Sequence, residues 1–125
     1  ITGTAQYEVN KLSAELGNAD VELVRKELGT EFDMIVHEPD GILEIGQAGH
    51  SKASGIERLC ASLGIAKEDT YAFGDSANDV EMLEFVAHGI AMGNGTDVAK
   101  NAAEFVTTDI HKDGIWNGLK HYGLI

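Results

Sequence analysis

The residues best suited to chemistry are G-D-S-A-N-D at positions 74–79, directly after the apolar run 71–73. Asp75 and Asp79 flank a predicted turn between a strand and a helix, so both carboxylates can approach one point. Hard oxygen ligands of this kind suit Mg²⁺, which usually takes one or two protein carboxylates together with water and a substrate phosphate. The segment therefore predicts a magnesium site at Asp75 and Asp79. The alternative is that Asp79 caps its helix and Asp75 stabilises the turn.

Lys52 lies 23 residues before Asp75, at the start of a predicted helix. A helix that begins there and is followed by a turn and a strand would bring Lys52 to the same edge of the sheet. Its ammonium group could then neutralise charge on a phosphoryl group, as lysines do in phosphoryl transfer. Taken alone, a lysine is more often a solvated surface residue.

A second loop between a strand and a helix is A-M-G-N-G-T at positions 91–96. Its glycines would let the backbone come close to a ligand, although an ordinary glycine-rich turn has the same composition. The loop is not a dinucleotide-binding fingerprint, because G-x-G-x-x-G starting at Gly93 would need glycine where Val98 stands. A Walker A phosphate-binding loop is absent as well, since the sequence contains no G-K-[ST].

The chain before residue 50 is predicted to form two helices and then two strands. Helical spacing of apolar residues and β-forming composition carry these assignments. Asn18 or Asp20 can cap the second helix, and Gly29 can end it. The predicted helices span 6–17 and 21–28, and the predicted strands span 32–37 and 42–45 on either side of a turn at 39–41.

From Ser51 onward the pattern predicts strict alternation. Ser51 can cap a helix that Gly64 ends, and strands and helices then follow one another. Such alternation predicts parallel βαβ units, and therefore an α/β fold with a doubly wound parallel sheet. A soft domain boundary is predicted around 43–49. The predicted elements are strand 70–73, helix 79–86, strand 89–92, helix 96–103, strand 105–107 and helix 114–122.

The composition argues against several classes of partner. The 125 residues carry 21 Asp and Glu against 9 Lys and Arg, a net charge of -12 that repels nucleic-acid phosphates and anionic lipids. We therefore expect no nucleic-acid and no membrane partner. Cys60 is the single cysteine, which excludes an intramolecular disulfide and a zinc site of several cysteines. No run approaches the ~20 apolar residues of a membrane helix, so a cytoplasmic protein is predicted.

Three segments together resemble the C-terminal half of the haloacid dehalogenase (HAD) superfamily phosphatases of the Cof type. They are Ser51-Lys52, the run 71–83 with its G-D-x-x-N-D-x-x-M-L string, and A-M-G-N at 91–94. The resemblance covers the chain from about Ile42 onward. It implies a Rossmann-like core and Mg²⁺-dependent hydrolysis of phosphate monoesters through an aspartyl-phosphate intermediate.

The resemblance also implies roles for four residues. Lys52 matches the family lysine that stabilises the nucleophile and the phosphoryl group, which makes it catalytic and phosphate-binding. Asp75 matches the acidic Mg²⁺ ligand, and Asp79 would support the metal or its water shell. Asn78 would orient the phosphate or the lysine.

One family motif is missing from the sequence. The family's D-x-D motif, which carries the nucleophile and the general acid, occurs nowhere in the 125 residues, and the chain begins with Ile1 rather than Met. Residues 1–43 then resemble the C-terminal part of the cap domain, and residues 44–125 resemble the C-terminal half of the HAD core. We expect a fragment that is inactive alone and that can form a homodimer through the surface exposed by truncation.

The function expected of the full-length protein is phosphate monoester hydrolysis. Its substrate would be a small phosphorylated metabolite such as a sugar phosphate, which the cap of this family largely selects. A different hypothesis is a non-catalytic binding or assembly module with the same fold. An acidic receiver-like domain is a weaker alternative, because it needs carboxylates after an early strand and the chain is predicted to start with helices.

Overall fold

A computed structural model describes residues 11–17, 20–37 and 41–125 of the chain. The contacts divide the chain into two units, Ile1–His50 and Ser51–Ile125. The division falls after strand β3 (Ile42–Gln47), a strand that continues past the predicted boundary between residues 43 and 44. Each unit therefore keeps its own sheet intact.

The first unit contains an antiparallel sheet in the order β1-β3-β2. Register pairs Lys11 with Gly46 on one side of β3 and Phe32 with Gln47 on the other. Met34 pairs with Ile45, which lies two residues from Leu43 on the same strand, so the buried side chains of Met34 and Leu43 lie on the same face of the sheet. Besides β3, the elements are β1 (Lys11–Glu15), α1 (Val21–Leu28) and β2 (Phe32–His37).

Helix α1 begins and ends where the sequence signals predicted. The Asp20 carboxylate accepts hydrogen bonds from the backbone N–H groups of Glu22 and Leu23, at 3.0 and 3.3 Å. Gly29 ends the helix with a φ of 66°, a conformation that suits glycine. The strand predictions over 32–37 and 42–45 are confirmed as well, and residues 39 and 40 of the predicted turn lie outside the described residues.

The helix predicted over 6–17 is wrong in its described part. Residues Lys11–Glu15 form strand β1, whose five residues are all exposed, and residues 6–10 lie outside the described residues. The spacing of Leu12 and Leu16 fits a helix, but pairing with β3 supplies the backbone hydrogen bonds that a local helix would otherwise have to make.

The second unit confirms the predicted α/β fold. Its parallel sheet has the order β4-β5-β6, built from β4 (Tyr71–Gly74), β5 (His88–Ala91) and β6 (Phe105–Val106). Ile90 in the central strand is completely buried. The helices are α2 (Lys52–Leu63), α3 (Val80–Phe85), α4 (Asp97–Ala102) and α5 (Gly114–His121), with short 3₁₀ turns at Lys67–Asp69, Ala77–Asp79 and Ile110–Lys112.

Glycines allow close packing around the parallel sheet. A Cβ atom on Gly118 of α5 would stand 2.6 Å from the Phe73 ring of β4, and one on Gly89 would stand 2.3 Å from the Leu83 carbonyl oxygen. Only glycine fits at such separations. Within the described parts of the chain, none of the helices has the length and apolar character needed to cross a membrane.

Candidate active site

The segment 74–79 lies at the carboxyl end of β4, as the alternating pattern predicted. Gly74 is the last residue of the strand, and the turn Ala77–Asp79 leads directly into α3. In an open parallel sheet, ligands bind outside the carboxyl ends of the strands. A ligand is therefore expected to bind at this loop.

Asp79, the last residue of the loop, accepts hydrogen bonds from several groups around it. Its side chain is only 7% exposed, and both of its oxygens accept hydrogen bonds from protein groups. Oδ1 lies 2.5 Å from the Lys52 ammonium nitrogen, and Oδ2 accepts from the backbone N–H groups of Asp75 and Ser76, at 2.9 and 3.2 Å. One carboxylate thus joins the lysine to the main chain of the loop.

The contacts of Asp79 keep it ionised. Burial raises the pKa of its carboxyl group, but the hydrogen bond from Lys52 and those from the Asp75 and Ser76 N–H groups outweigh burial, so the pKa lies below its ordinary value. At neutral pH the carboxylate is therefore a permanent partner for the Lys52 ammonium group.

Lys52 reaches Asp79 because of the way in which α2 starts. Ser51 caps the helix by accepting a hydrogen bond from the Ser54 N–H at 3.2 Å, and Lys52 is the first helical residue. The lysine side chain is 49% exposed, so its ammonium contacts the buried carboxylate and keeps access to solvent. The structure thus brings together Lys52 and Asp79, which are 27 positions apart.

Asp75 presents an exposed carboxylate on a fixed main chain. Its N–H donates to Asp79, and its carbonyl oxygen accepts from the Thr96 N–H at 2.8 Å. Within the described ranges, the Asp75 carboxylate has no hydrogen-bond or ion-pair partner. The side chain is therefore available to a cation, whereas both oxygens of Asp79 are already engaged.

The glycines of the loop 91–96 approach protein rather than open space. A Cβ atom on Gly93 would stand 2.6 Å from the Asp109 nitrogen, and one on Gly95 would stand 3.1 Å from the Asp75 Cα. The Asn94 side-chain oxygen accepts from the Ile110 N–H at 2.9 Å. The sequence left open whether these glycines allow ligand approach or form an ordinary turn, and it did not predict their packing, because no local signal reports a contact with residues 107–110.

The described residues fit Mg²⁺ in part. No cluster of three or more His, Cys, Asp or Glu able to hold a metal occurs among them. Asp75 supplies one free carboxylate, and Mg²⁺ commonly takes one or two carboxylates while water and phosphate oxygens complete its octahedron. Asp75 is thus the residue that would hold the ion. Asp79 would support the ion indirectly, by fixing the loop or through the ion's water shell.

Comparisons with known proteins point to one family. The family model for haloacid dehalogenase-like hydrolases matches residues 4–119. An uncharacterized protein in the pdhA 5′ region of Geobacillus stearothermophilus is 54% identical over 78 residues, covering 62% of this chain and 82% of that protein. The 5-amino-6-(5-phospho-D-ribitylamino)uracil phosphatase YitU of Bacillus subtilis is 42% identical over 84 residues, covering 67% of this chain and 31% of YitU.

A solved structure agrees with these relatives. A sugar phosphatase of HAD subclass IIB is 31% identical, with a TM-score of 0.85 over 95% of this chain and 45% of its own. The chain thus spans less than half the length of each of these two phosphatases.

Proposed function

Because the chain belongs to the haloacid dehalogenase-like hydrolase family, we propose that it supplies the lysine and metal half of a phosphatase site that hydrolyses phosphate monoesters. The observation that carries this proposal is the Lys52–Asp79 ion pair in the loop that also presents the free Asp75 carboxylate. A cationic group and a metal ligand at one strand end are what a phosphoryl group needs to offset its charge.

Each residue then has a separate task. The Lys52 ammonium binds a phosphoryl oxygen and offsets the negative charge that develops during transfer. Asp79 orients that ammonium and fixes the loop, because its two oxygens point to these two sets of donors. Asp75 would hold Mg²⁺, which when bound supplies Lewis-acid stabilisation of phosphate charge. Asn78 would add a neutral donor to the phosphate.

The nucleophile would come from outside these 125 residues. The sequence contains no D-x-D, and the uracil phosphatase YitU and the sugar phosphatase are each more than twice as long as the part aligned with this chain. We infer that the complete protein provides this motif, and that the chain alone binds ligands without turnover. The two units would then correspond to the last part of a cap and the second half of a core.

A small phosphorylated metabolite is the proposed substrate class. The support comes from the relatives, one of which is named for a phosphorylated ribitylamino compound and another as a sugar phosphatase. Both names describe a phosphate on a small polyhydroxylated molecule. A cytoplasmic location and a homodimer, expected from the sequence, stay predictions.

Hydrolysis of p-nitrophenyl phosphate by the complete protein, with and without Mg²⁺, tests the proposal. We expect Lys52→Ala and Asp75→Ala each to lower kcat by about 100-fold or more, the usual cost of one charge-stabilising group. Lys67→Ala and Asp69→Ala are matched controls, because both residues are exposed and precede β4 at the opposite end of the strand. Full activity in both site variants would contradict the proposal.

A further inference from the structure

The Ser76 hydroxyl lies between two acceptors and has one hydrogen to donate. Its Oγ is 2.5 Å from the Asn78 side-chain oxygen and 3.5 Å from Oδ2 of Asp79. Hydroxyl hydrogen bonds are normally 2.5–3.0 Å long, so the Asn78 contact is within range and the Asp79 contact is beyond it. Oδ2 of Asp79 is also already satisfied by two backbone N–H groups. The hydrogen therefore goes to Asn78.

This hydrogen bond decides the orientation of the Asn78 amide. A serine hydroxyl that donates must face the amide oxygen, which turns the NH₂ group of Asn78 away from Ser76. Within the described part of the chain, that NH₂ group donates to no protein acceptor. It is thus free to donate to a ligand oxygen. With the amide turned over, its oxygen would face the ligand instead and would repel an anion.

The turn holds the Ser76 hydroxyl in place. The Ser76 N–H donates to Asp79 Oδ2, and the Ser76 carbonyl oxygen accepts from the Asp79 N–H at 3.0 Å. The residue has φ -139° and ψ 174°, an extended conformation that threonine adopts readily. Threonine can therefore replace Ser76 with its hydroxyl retained.

We propose that Ser76 is a positioning residue that presents the NH₂ end of Asn78 to a phosphoryl group. Ser76 itself does not touch the reacting atoms. The inference rests on the proposed function for the identity of its ligand, because the unprotonated oxygens of a phosphoryl group accept hydrogen bonds and have none to donate. Ser76 is the residue that selects the donor end of the amide.

Inorganic phosphate is the probe, and the 125-residue chain is the sample. The side-chain NH₂ cross-peaks of Asn78 in a ¹⁵N–¹H spectrum, assigned by their loss in Asn78→Ala, are followed during a phosphate titration. We expect Ser76→Ala to raise the Kd for phosphate about fivefold, the factor that corresponds to the usual net contribution of one hydrogen bond. Ser76→Thr should stay within about twofold of the wild type, because it keeps the donor. Ser62→Ala, an exposed serine on α2, is the control.

Two results would overturn the inference. One is an unchanged Kd in Ser76→Ala, and the other is a wild-type spectrum in which phosphate does not shift the Asn78 cross-peaks. Failure of the proposed function gives a different result. If Asn78 and Ser76 govern phosphate binding but the complete protein hydrolyses no ester, the phosphatase proposal is refuted and the role of Ser76 stands.

Discussion

Replacing Asp79 by asparagine tests directly whether its carboxylate stabilises the loop through the ion pair with Lys52. Asparagine has nearly the same shape, and its one oxygen can still accept from the N–H groups of Asp75 and Ser76. Its NH₂ group would then face the Lys52 ammonium, so that two donors meet where the carboxylate now accepts at 2.5 Å. The substitution therefore removes one charged hydrogen bond and leaves most of the packing intact.

The expected loss of stability follows from the exposure of the two partners. Breaking a fully buried ion pair by removing one partner costs about 3–5 kcal/mol. Here Asp79 is 7% exposed but Lys52 is 49% exposed, so water can replace the lost partner of the lysine. We therefore expect Asp79→Asn to lower the free energy of unfolding by about 2 kcal/mol, within the range for a hydrogen bond to a charged group.

The loss should depend on pH in a defined direction. The pKa of Asp79 is lowered in the folded state, so the stability that its carboxylate contributes is fully present above the unfolded-state pKa of about 4. That contribution is lost as the pH falls through the lower folded-state pKa. The difference between the wild type and Asp79→Asn should therefore be full at pH 6–7 and shrink below about pH 4.

Urea unfolding followed by tryptophan fluorescence measures this effect. Trp116 is the only tryptophan and lies in α5, so it reports on the second unit. The urea midpoint of Asp79→Asn should fall by about 1–2 M, from a loss of about 2 kcal/mol. Asp75→Asn is the matched control, because its exposed carboxylate should change the free energy of unfolding by less than about 0.5 kcal/mol. Equal midpoints for the wild type and Asp79→Asn would show that the Lys52–Asp79 ion pair does not stabilise the second unit.

Three further substitutions test other parts of the second unit. Gly74→Ala should destabilise the second unit more than Asp79→Asn does, because the new Cβ atom would stand 2.6 Å from the Asp79 Cβ. Gly55→Ala is the control: a Cβ atom there meets open space on a helix, so the second unit should become more stable by about 0.5–1 kcal/mol. A urea midpoint for Gly74→Ala equal to that of the wild type would contradict this. Burial and the hydrogen bond to Glu104 raise the pKa of Tyr122 to about 12. Glu104→Gln should therefore lower the pKa of Tyr122 in an NMR titration. An unchanged pKa would contradict the role of Glu104 in this shift.

Elements with strong end signals were predictable from the sequence. Helix α2 starts after the Ser51 cap and ends before Gly64, and α1 starts after the Asp20 cap. The strands of the parallel sheet were predictable because short apolar runs alternate with helices, which leaves a parallel arrangement as the simple solution. The ends of these helices are decided by the cap residues themselves, whereas the parallel sheet follows from the order of elements along the second unit.

Elements decided by distant residues were not predictable. Strand β1 owes its conformation to pairing with β3, about 30 residues later, and its own spacing of leucines favours a helix. Gly93 has to be glycine because the backbone of residues 107–109 leaves no room for a Cβ atom. The sequence also predicted that Lys52 can approach the loop 74–79. It did not predict whether Lys52 contacts Asp75 or Asp79, because the contact depends on how α2 packs beside α3.

The different roles of Asp75 and Asp79 follow from where the chain places their side chains. Their spacing in the sequence does not distinguish the two carboxylates as metal ligands. In the folded chain the backbone donors of residues 75 and 76 converge on Asp79, and the lysine takes its other oxygen. Direct coordination by Asp79 would cost one of these bonds, whereas coordination by Asp75 costs none among the described residues. A cation that enters this loop should therefore bind at Asp75, and Asp79 should hold the lysine beside it.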